Sequence, residues 1–284
     1  MKPKEILVFG ASGQIGRHLI RKLTKNNYKV VAVTRNIHQK GYILKTQANP
    51  GYLEIVELTY FNIEKIKSLV EECSICINLI GILFEKKKNF FKNIHTDFPD
   101  LLSKLSAKKN IEKLIHLSSL GIEKSLDSNY AISKLEGENK IKNNFDRVVV
   151  LKPSIVYSVD DNFTTNFMTL LNRLPIIPIY YEGKTKFAPI HVTDLAQIIF
   201  DVVQGKTNEQ TIECIGPEII SFKEIILKLL KTIDKKRLLI PLPLVIAKMT
   251  AKIFEIMPNP LITVDQINLL KHDNIPSGKY KTNF

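Results

Sequence analysis

Tyr130 and Lys134 stand four residues apart in the run Tyr130-Ala-Ile-Ser-Lys134. On a helix that spacing puts both side chains on one face. A phenol with its ordinary pKa of about 10 is a poor base at neutral pH, and a neighbouring ammonium should lower that value by stabilising the phenolate. Such a pair could carry a proton to or from a substrate oxygen.

A second pattern lies at the start of the chain. Gly10-Ala-Ser-Gly13-Gln-Ile-Gly16 follows an apolar run and precedes a helical one. A glycine turn lets the backbone approach a pyrophosphate, and the helix behind it offers free N–H groups and a positive dipole end. Gly10, Ser12, Gly13, Gln14, Ile15 and Gly16 are therefore expected to line a dinucleotide. The end of the second strand in such a unit reads the adenosine ribose, where an acid favours NAD and an arginine accepts the extra phosphate of NADP. Arg35 stands 19 positions after Gly16, the strand end Val33-Thr34-Arg35 holds no acid, and Arg17 follows the last glycine. Both arginines favour NADP(H), with NAD(H) as the second choice. With a nicotinamide in place, proton transfer at Tyr130 could accompany hydride transfer.

These residues need a rigid frame. Ile6–Phe9, Val30–Thr34, Leu53–Leu58, Ile75–Ile80, Leu114–Leu117 and Val148–Leu151 read as strands. Gln14–Lys25, Ile63–Val70, Phe98–Lys108 and Tyr130–Lys142 read as helices between them, with apolar residues at three-and-four spacing. Alternation of helices with apolar, mostly β-branched strands is the signature of an α/β doubly wound parallel sheet, the Rossmann arrangement. The pattern changes after Pro153, where prolines cluster and helices are expected at Val192–Val203 and Phe222–Thr232. The expected division is a dinucleotide-binding domain over 1–155 and a smaller α+β substrate-binding annex over 156–284, with about 190–215 returning to the sheet.

Composition narrows the classes. The chain has 284 residues, 44% hydrophobic and 24% charged, enough to bury a core without disulfide staples. No apolar run approaches the roughly 20 residues that span a bilayer. The start runs straight into a strand, with no signal-peptide layout. A cytoplasmic setting is expected, with a peripheral place on the inner membrane face as the alternative. Cys73 and Cys76 form a C-x-x-C, but in one strand they would point to opposite faces, so no metal or bridge is expected. No His/Asp/Glu cluster has metal-ligand spacing. His116 reads as a satisfied core residue, and His191 has no assigned role. The net charge of +13 favours anionic partners. No basic stripe with interleaved aromatics and no zinc-finger spacing accompanies it, so nucleic acid is not expected.

The ordered set of motifs resembles the extended and atypical branch of the short-chain dehydrogenase/reductase superfamily. It comprises the glycine turn, Asn78-Leu-Ile-Gly81, Ser118-Ser119 and Tyr130-Ala-Ile-Ser-Lys134. More closely it resembles the nucleotide-binding accessory subunits of respiratory complex I and their bacterial relatives. That likeness continues through Lys152-Pro-Ser-Ile-Val-Tyr157, Gly183-Lys-Thr-Lys-Phe187, His191-Val-Thr-Asp194, Ile240-Pro-Leu-Pro243 and Leu261 to Leu270. The resemblance implies that Ser119 orients a substrate oxygen beside Tyr130, and that Lys134 also holds the nicotinamide ribose. It implies further dinucleotide contacts at Leu79, Ile80, Gly81, Ser118, Pro153 and Ile155. Three positions depart from the pattern: Thr59 stands for an acid near the adenine, Lys152 for arginine, and Ser158 for glycine. The implied roles are a dinucleotide-holding structural, assembly or sensing subunit, or an active NADP(H)-dependent oxidoreductase, epimerase or dehydratase. Other complex I subunits are the implied protein partners.

The end of the chain carries its own signal. From Lys235 to Phe284 there are eight Lys+Arg against three Asp+Glu, a net of +5. Leu244, Val245, Met249, Ile253 and Ile256 form one apolar helical stripe beside Lys248 and Lys252. The favoured expectation is a helix facing the annex core. An anionic membrane surface or a partner protein is the alternative.

Overall fold

A computed structural model describes residues 5–59, 62–87, 89–257, 260 and 262–284. Met1–Lys4, Lys88, and Leu261 of the last resemblance segment lie outside the described residues.

Six parallel strands alternate with helices along the first half. They are β1 (Glu5–Phe9), β2 (Lys29–Thr34), β3 (Leu53–Glu57), β4 (Ile75–Asn78), β5 (Lys113–Leu117) and β6 (Val148–Pro153). Helices α1 (Gln14–Lys25), α2 (Ile37–Lys45), α3 (Ile63–Glu72), α4 (Phe98–Lys109) and α5 (Asn129–Asn144) connect them. Their spatial order is β3-β2-β1-β4-β5-β6, continued by strands Thr211–Cys214 and Lys281–Thr282 at the far edge. Chain order reverses between β1 and β4, and ligands of such sheets bind in the crevice beyond the strand ends at that point.

Alternation along β1 shows how the core is divided. Ile6 and Val8 join Leu19, Ile20 and Leu23 of α1 on one face, whereas Leu7 and Phe9 join Ile66, Leu102 and Ile141 on the other. Helix α7 (Val192–Val203) completes the first face with Leu195, Ile199 and Phe200.

The annex has its own small core of Leu171, Ile177, Ile179, Phe222, Ile226 and Leu230. It gathers α6 (Asn162–Arg173), α8 (Phe222–Thr232) and the parallel pair Ile176–Ile179 with Leu238–Pro241. Helices α9 (Leu244–Phe254) and α10 (Val264–Leu269) follow. No helix among the described residues is long and apolar enough to cross a membrane.

Helices α2 and α6 have no counterpart in the sequence reading. Only Gly41 and Leu44 of α2 are buried, which leaves little apolar periodicity to detect. The C-x-x-C reading also needs correction: Cys73 is the C-cap of α3, not a strand residue. Both thiols are free and buried, and burial pushes Cys73 up to about 12.

The largest correction concerns α9. Its inward residues are Ala247 and Ala251. Leu244, Val245, Met249, Ile253 and Ile256 all face outward, so the helix does not bury its apolar stripe in the annex core. Two alanines let the helix lie close to Tyr180 and Ile267, and that close seat leaves no room inside for the large side chains.

Candidate functional site

The glycine turn sits at the β1–β4 crevice. Gly16 is required by a close approach: a Cβ there would lie 2.4 Å from the Ala11 carbonyl oxygen and 2.6 Å from that of Gly10. The first turn of α1 has no side-chain cap and no acidic residue. Its N–H groups and dipole end are left for an anion. The residues present therefore fit a pyrophosphate.

The surrounding side chains are already organised. Gln14 donates to the Ser158 hydroxyl at 3.0 Å, and Arg17 pairs with Asp160 at 2.5 Å. Arg17 thus ties α1 to the annex rather than standing as an unpaired cation. Ser12 accepts from the Thr34 hydroxyl at 3.3 Å, and Ile15 packs against the core beneath the loop.

Arg35 is exposed at the end of β2. Thr59 donates to the Arg35 carbonyl at 3.4 Å and to Glu57 at 3.2 Å. Glu57 is a residue the sequence reading missed: the end of β2 lacks an acid, but β3 brings one beside it. Its carboxylate accepts from the Ile37 N–H at 2.8 Å, and that bond holds its pKa below the usual range.

On the other side of the crevice the Asn78 side chain accepts from the Ile80 N–H at 3.1 Å and donates to His116 Nδ1 at 3.1 Å. The Leu79 N–H donates to the Phe9 carbonyl, extending β4 past its last paired residue. His116 is buried as expected but only half satisfied. Its Nε2 is a buried nitrogen without a hydrogen-bond partner among the described residues, and burial followed by the nearby Lys134 charge lowers its pKa well below the ordinary value. Pro153 and Ile155 lend their carbonyls to Leu120 and Ile190 at 2.9 Å each, so they fix the loops that flank the crevice.

Tyr130 and Lys134 do share a face of α5, brought in by a close helix contact. A Cβ on Gly137 would lie only 1.9 Å from the His95 carbonyl, so glycine alone lets α5 meet the π-helical turn Lys92–Asp97. Lys134 is buried and donates to the Leu117 carbonyl at 3.0 Å. Its ammonium lies 3.5 Å from the place a Gly81 Cβ would occupy. Burial pushes Lys134 down to about 8, and the Glu138 charge opposes that shift.

Tyr130 corrects a second expectation. Its phenol pKa is raised: burial raises it, a hydrogen bond with the Ser119 side chain lowers it, and the Asp265 charge raises it further. Tyr130 packs in an apolar cluster with Phe91, Ile122, Ala131 and Leu269. Desolvation of the phenolate is the leading cause.

Three further groups surround the pair, and the sequence reading missed them. His95 lies edge-on to Tyr130 with ring centroids 5.2 Å apart. Its Nε2 accepts from the Ile82 N–H at 3.1 Å, so the neutral ring's Nδ1 proton points to the Ser133 hydroxyl 3.0 Å away. Burial, followed by the charge of Lys134, drives His95 down to about 2. Glu138 accepts from Ser118 and pairs with Lys152 at 3.1 Å, and Lys152 also pairs with Glu123. This buried network engages the Ser118 hydroxyl and holds the loop that carries Ser119. Glu138 was detectable, since it stands four positions after Lys134. The third is Asp265 of α10, which accepts from the Ser128 hydroxyl at 2.8 Å and from the N–H groups of Asn129 at 2.6 Å and Tyr130 at 3.2 Å. A carboxylate of the annex thereby caps the helix that bears Tyr130.

The model of the NAD dependent epimerase/dehydratase family matches residues 6–214. The 40 kDa subunit of NADH-ubiquinone oxidoreductase, a mitochondrial protein of Neurospora crassa, is 24% identical over 277 residues, which is 97% of this chain and 72% of that protein. The mitochondrial NADH dehydrogenase [ubiquinone] 1 alpha subcomplex subunit 9 of Arabidopsis thaliana is 26% identical over 283 residues, covering 95% of this chain and 70% of its own. Among solved structures, the UDP-glucose 4-epimerase of Thermotoga maritima with UDP-glucose has a TM-score of 0.69 at 17% identity, covering 84% of this chain and 86% of that one.

Proposed function

For a chain that belongs to the NAD dependent epimerase/dehydratase family, we propose that it holds NADP(H) as an accessory subunit of a respiratory complex I, in a structural, assembly or sensing role. One contrast carries the reading. The cleft for a pyrophosphate is built down to the Gly16 contact, with Arg35 exposed beside it, whereas the Tyr130 phenol is enclosed and its pKa raised. The NADH dehydrogenase subunits that match nearly the whole chain support the same role. Gly10, Gly13, Gly16 and the α1 N-terminus would hold the pyrophosphate, Arg35 the ribose phosphate, and Gly81 and Lys134 the nicotinamide end. A bound nicotinamide would supply a hydride donor or acceptor.

Fluorescence titration tests this directly, following the emission of the reduced nicotinamide as it binds. NADPH should bind more tightly than NADH, and Arg35→Asp should weaken NADPH at least about tenfold, a loss of about 1.4 kcal/mol. Failure of the folded protein to bind either dinucleotide overturns the proposal.

The outward face of α9 supports a place at an anionic membrane surface. Val245, Met249 and Ile253 project from it, and Lys248 and Lys252 stand on the same helix. Apolar residues flanked by lysines suit an interfacial helix. The protein should float with phosphatidylglycerol vesicles at low salt, and Val245→Ser with Ile253→Ser should abolish that. Absence of co-flotation sinks this part of the reading.

A second reading is an active NADP(H)-dependent oxidoreductase, epimerase or dehydratase, favoured by the Ser119 side chain, which acts to lower the Tyr130 phenol against its burial. Tyr130→Phe would then abolish turnover and leave NADPH affinity unchanged. Under the first reading the same variant keeps its cellular role.

A further inference from the structure

One short loop, between the strand Val156–Tyr157 and α6, is fastened onto the first turn of α1. Gln14 opens α1 directly after its N-cap Gly13, and its side chain donates to the Ser158 hydroxyl at 3.0 Å. Further along the same turn, Arg17 donates to the Gly13 carbonyl at 3.3 Å and pairs with Asp160 at 2.5 Å. The Ser158 hydroxyl also donates to Asp160 Oδ1 at 2.8 Å and accepts from the Asp160 N–H at 3.3 Å. A hydroxyl has one donor and two acceptor sites, and here all three are used. Ser158 therefore joins the two contacts into one unit. The glycine expected at that position would have no hydroxyl to do so.

On its own side the loop is held firmly. Asp161 is buried, accepts from the Ser158 N–H at 3.1 Å and caps α6 through the Thr164 N–H at 2.6 Å. Its tip, Val159, is 98% exposed and packs against nothing that would hold it down. The bond from Arg17, followed by that from Ser158, holds the Asp160 carboxyl below its ordinary range, so the pair is charged at neutral pH. The two side chains are 24% and 42% exposed, so water screens the pair and its hold is weak. Contacts that are few, polar and partly wet can open without disturbing the core. They also use no N–H of the α1 turn, so a bound anion and the closed loop can coexist.

We propose that Gln14, Arg17, Ser158 and Asp160 form a clasp that gates the pyrophosphate site. Dinucleotide enters and leaves while the loop 158–160 is lifted from α1. The proposal rests on the dinucleotide reading above and adds the means by which this chain retains its ligand. A clasp equally stable over the empty and the filled site slows both passages and leaves the Kd nearly unchanged.

Stopped-flow mixing with NADPH, followed by the emission of the reduced nicotinamide, gives the entry rate, and a dilution jump gives the release rate. In Ser158→Gly both rates should rise about tenfold, with the Kd moving less than about threefold. Asp160→Asn should release NADPH about threefold faster. Loss of a carboxylate beside an anion would by itself slow release, so faster release marks the gate. Faster release from Ser158→Gly with unchanged entry and a weakened Kd would show that Ser158 supports the bound ligand, and would overturn the gate. Unchanged rates in both variants would overturn it too, with the dinucleotide reading intact. A folded wild-type protein that binds no NADPH would overturn that reading and the gate with it. Should Ser158→Gly unfold, Asp160→Asn decides alone, because its side chain lies partly in water.

Discussion

Helices α7 and α9 are both rich in apolar residues, yet they turn opposite kinds of residue inward. Helix α7 buries Val192, Leu195, Ile199, Phe200, Val202 and Val203 against α1 and the sheet. Helix α9 buries two alanines and leaves Val245 71%, Met249 62% and Ile253 64% exposed. Burying one such large side chain contributes about 1.5–3 kcal/mol. In α7 that contribution goes to folding. In α9 it remains for whatever covers the face. An apolar stripe tells that a face gains from cover, and its neighbours decide whether the cover comes from the same chain.

The contrast between the two helices breaks most visibly under truncation of a buried side chain. Ile199→Ala on α7 should cost about 2–5 kcal/mol in urea unfolding, since Ile199 is fully buried. Ile253→Ala on α9 should stay within about 0.5 kcal/mol. Equal losses would mean that the α9 face is buried in the native protein after all.

A second test contrasts the buried charge of α5 with the exposed charges of α9. Lys134 is held at about 8 by burial, below its ordinary value of 10.5. Between those values the unfolded chain binds the extra proton, so stability should rise with pH across that window. The slope reaches up to about 1.4 kcal/mol per pH unit. Lys134→Met should remove this rise, whereas Lys252→Met on the exposed side of α9 should leave it. A wild-type profile with no Lys134-dependent rise would contradict the burial.

The smallest expected effect lies where the two regions meet. Asp265 carries the α10 contact onto the first turn of α5. Asp265→Ala should cost about 1 kcal/mol in unfolding. It should also lower the pH at which Tyr130 titrates, because the Asp265 charge is one of the causes that raise it. An unchanged tyrosine titration by ultraviolet absorbance would show that the two regions are not coupled there.

Much of the frame was legible because its signals are local. The apolar runs for β1 to β6 could be read directly, and the Gly10–Gly16 turn followed from spacing alone. So did α7 and α8, whose observed bounds coincide with their expected ranges. Helix α2 escaped because it buries almost nothing apolar. Glu57 escaped because it serves the end of β2 from a different strand. Nothing in the sequence near Tyr130 announces His95, which arrives through the Gly137 contact from a segment that meets α5 only in three dimensions.

By itself the sequence determined the order of strands and helices, the glycine cradle, and the shared face of Tyr130 and Lys134. Each depends on periodicity or steric need within a few residues. Tertiary structure alone decided that burial raises the Tyr130 phenol, that Glu138 engages the Ser118 hydroxyl, and that α9 presents its apolar face outward. Desolvation and packing depend on every neighbour at once, and those neighbours come from distant parts of the chain.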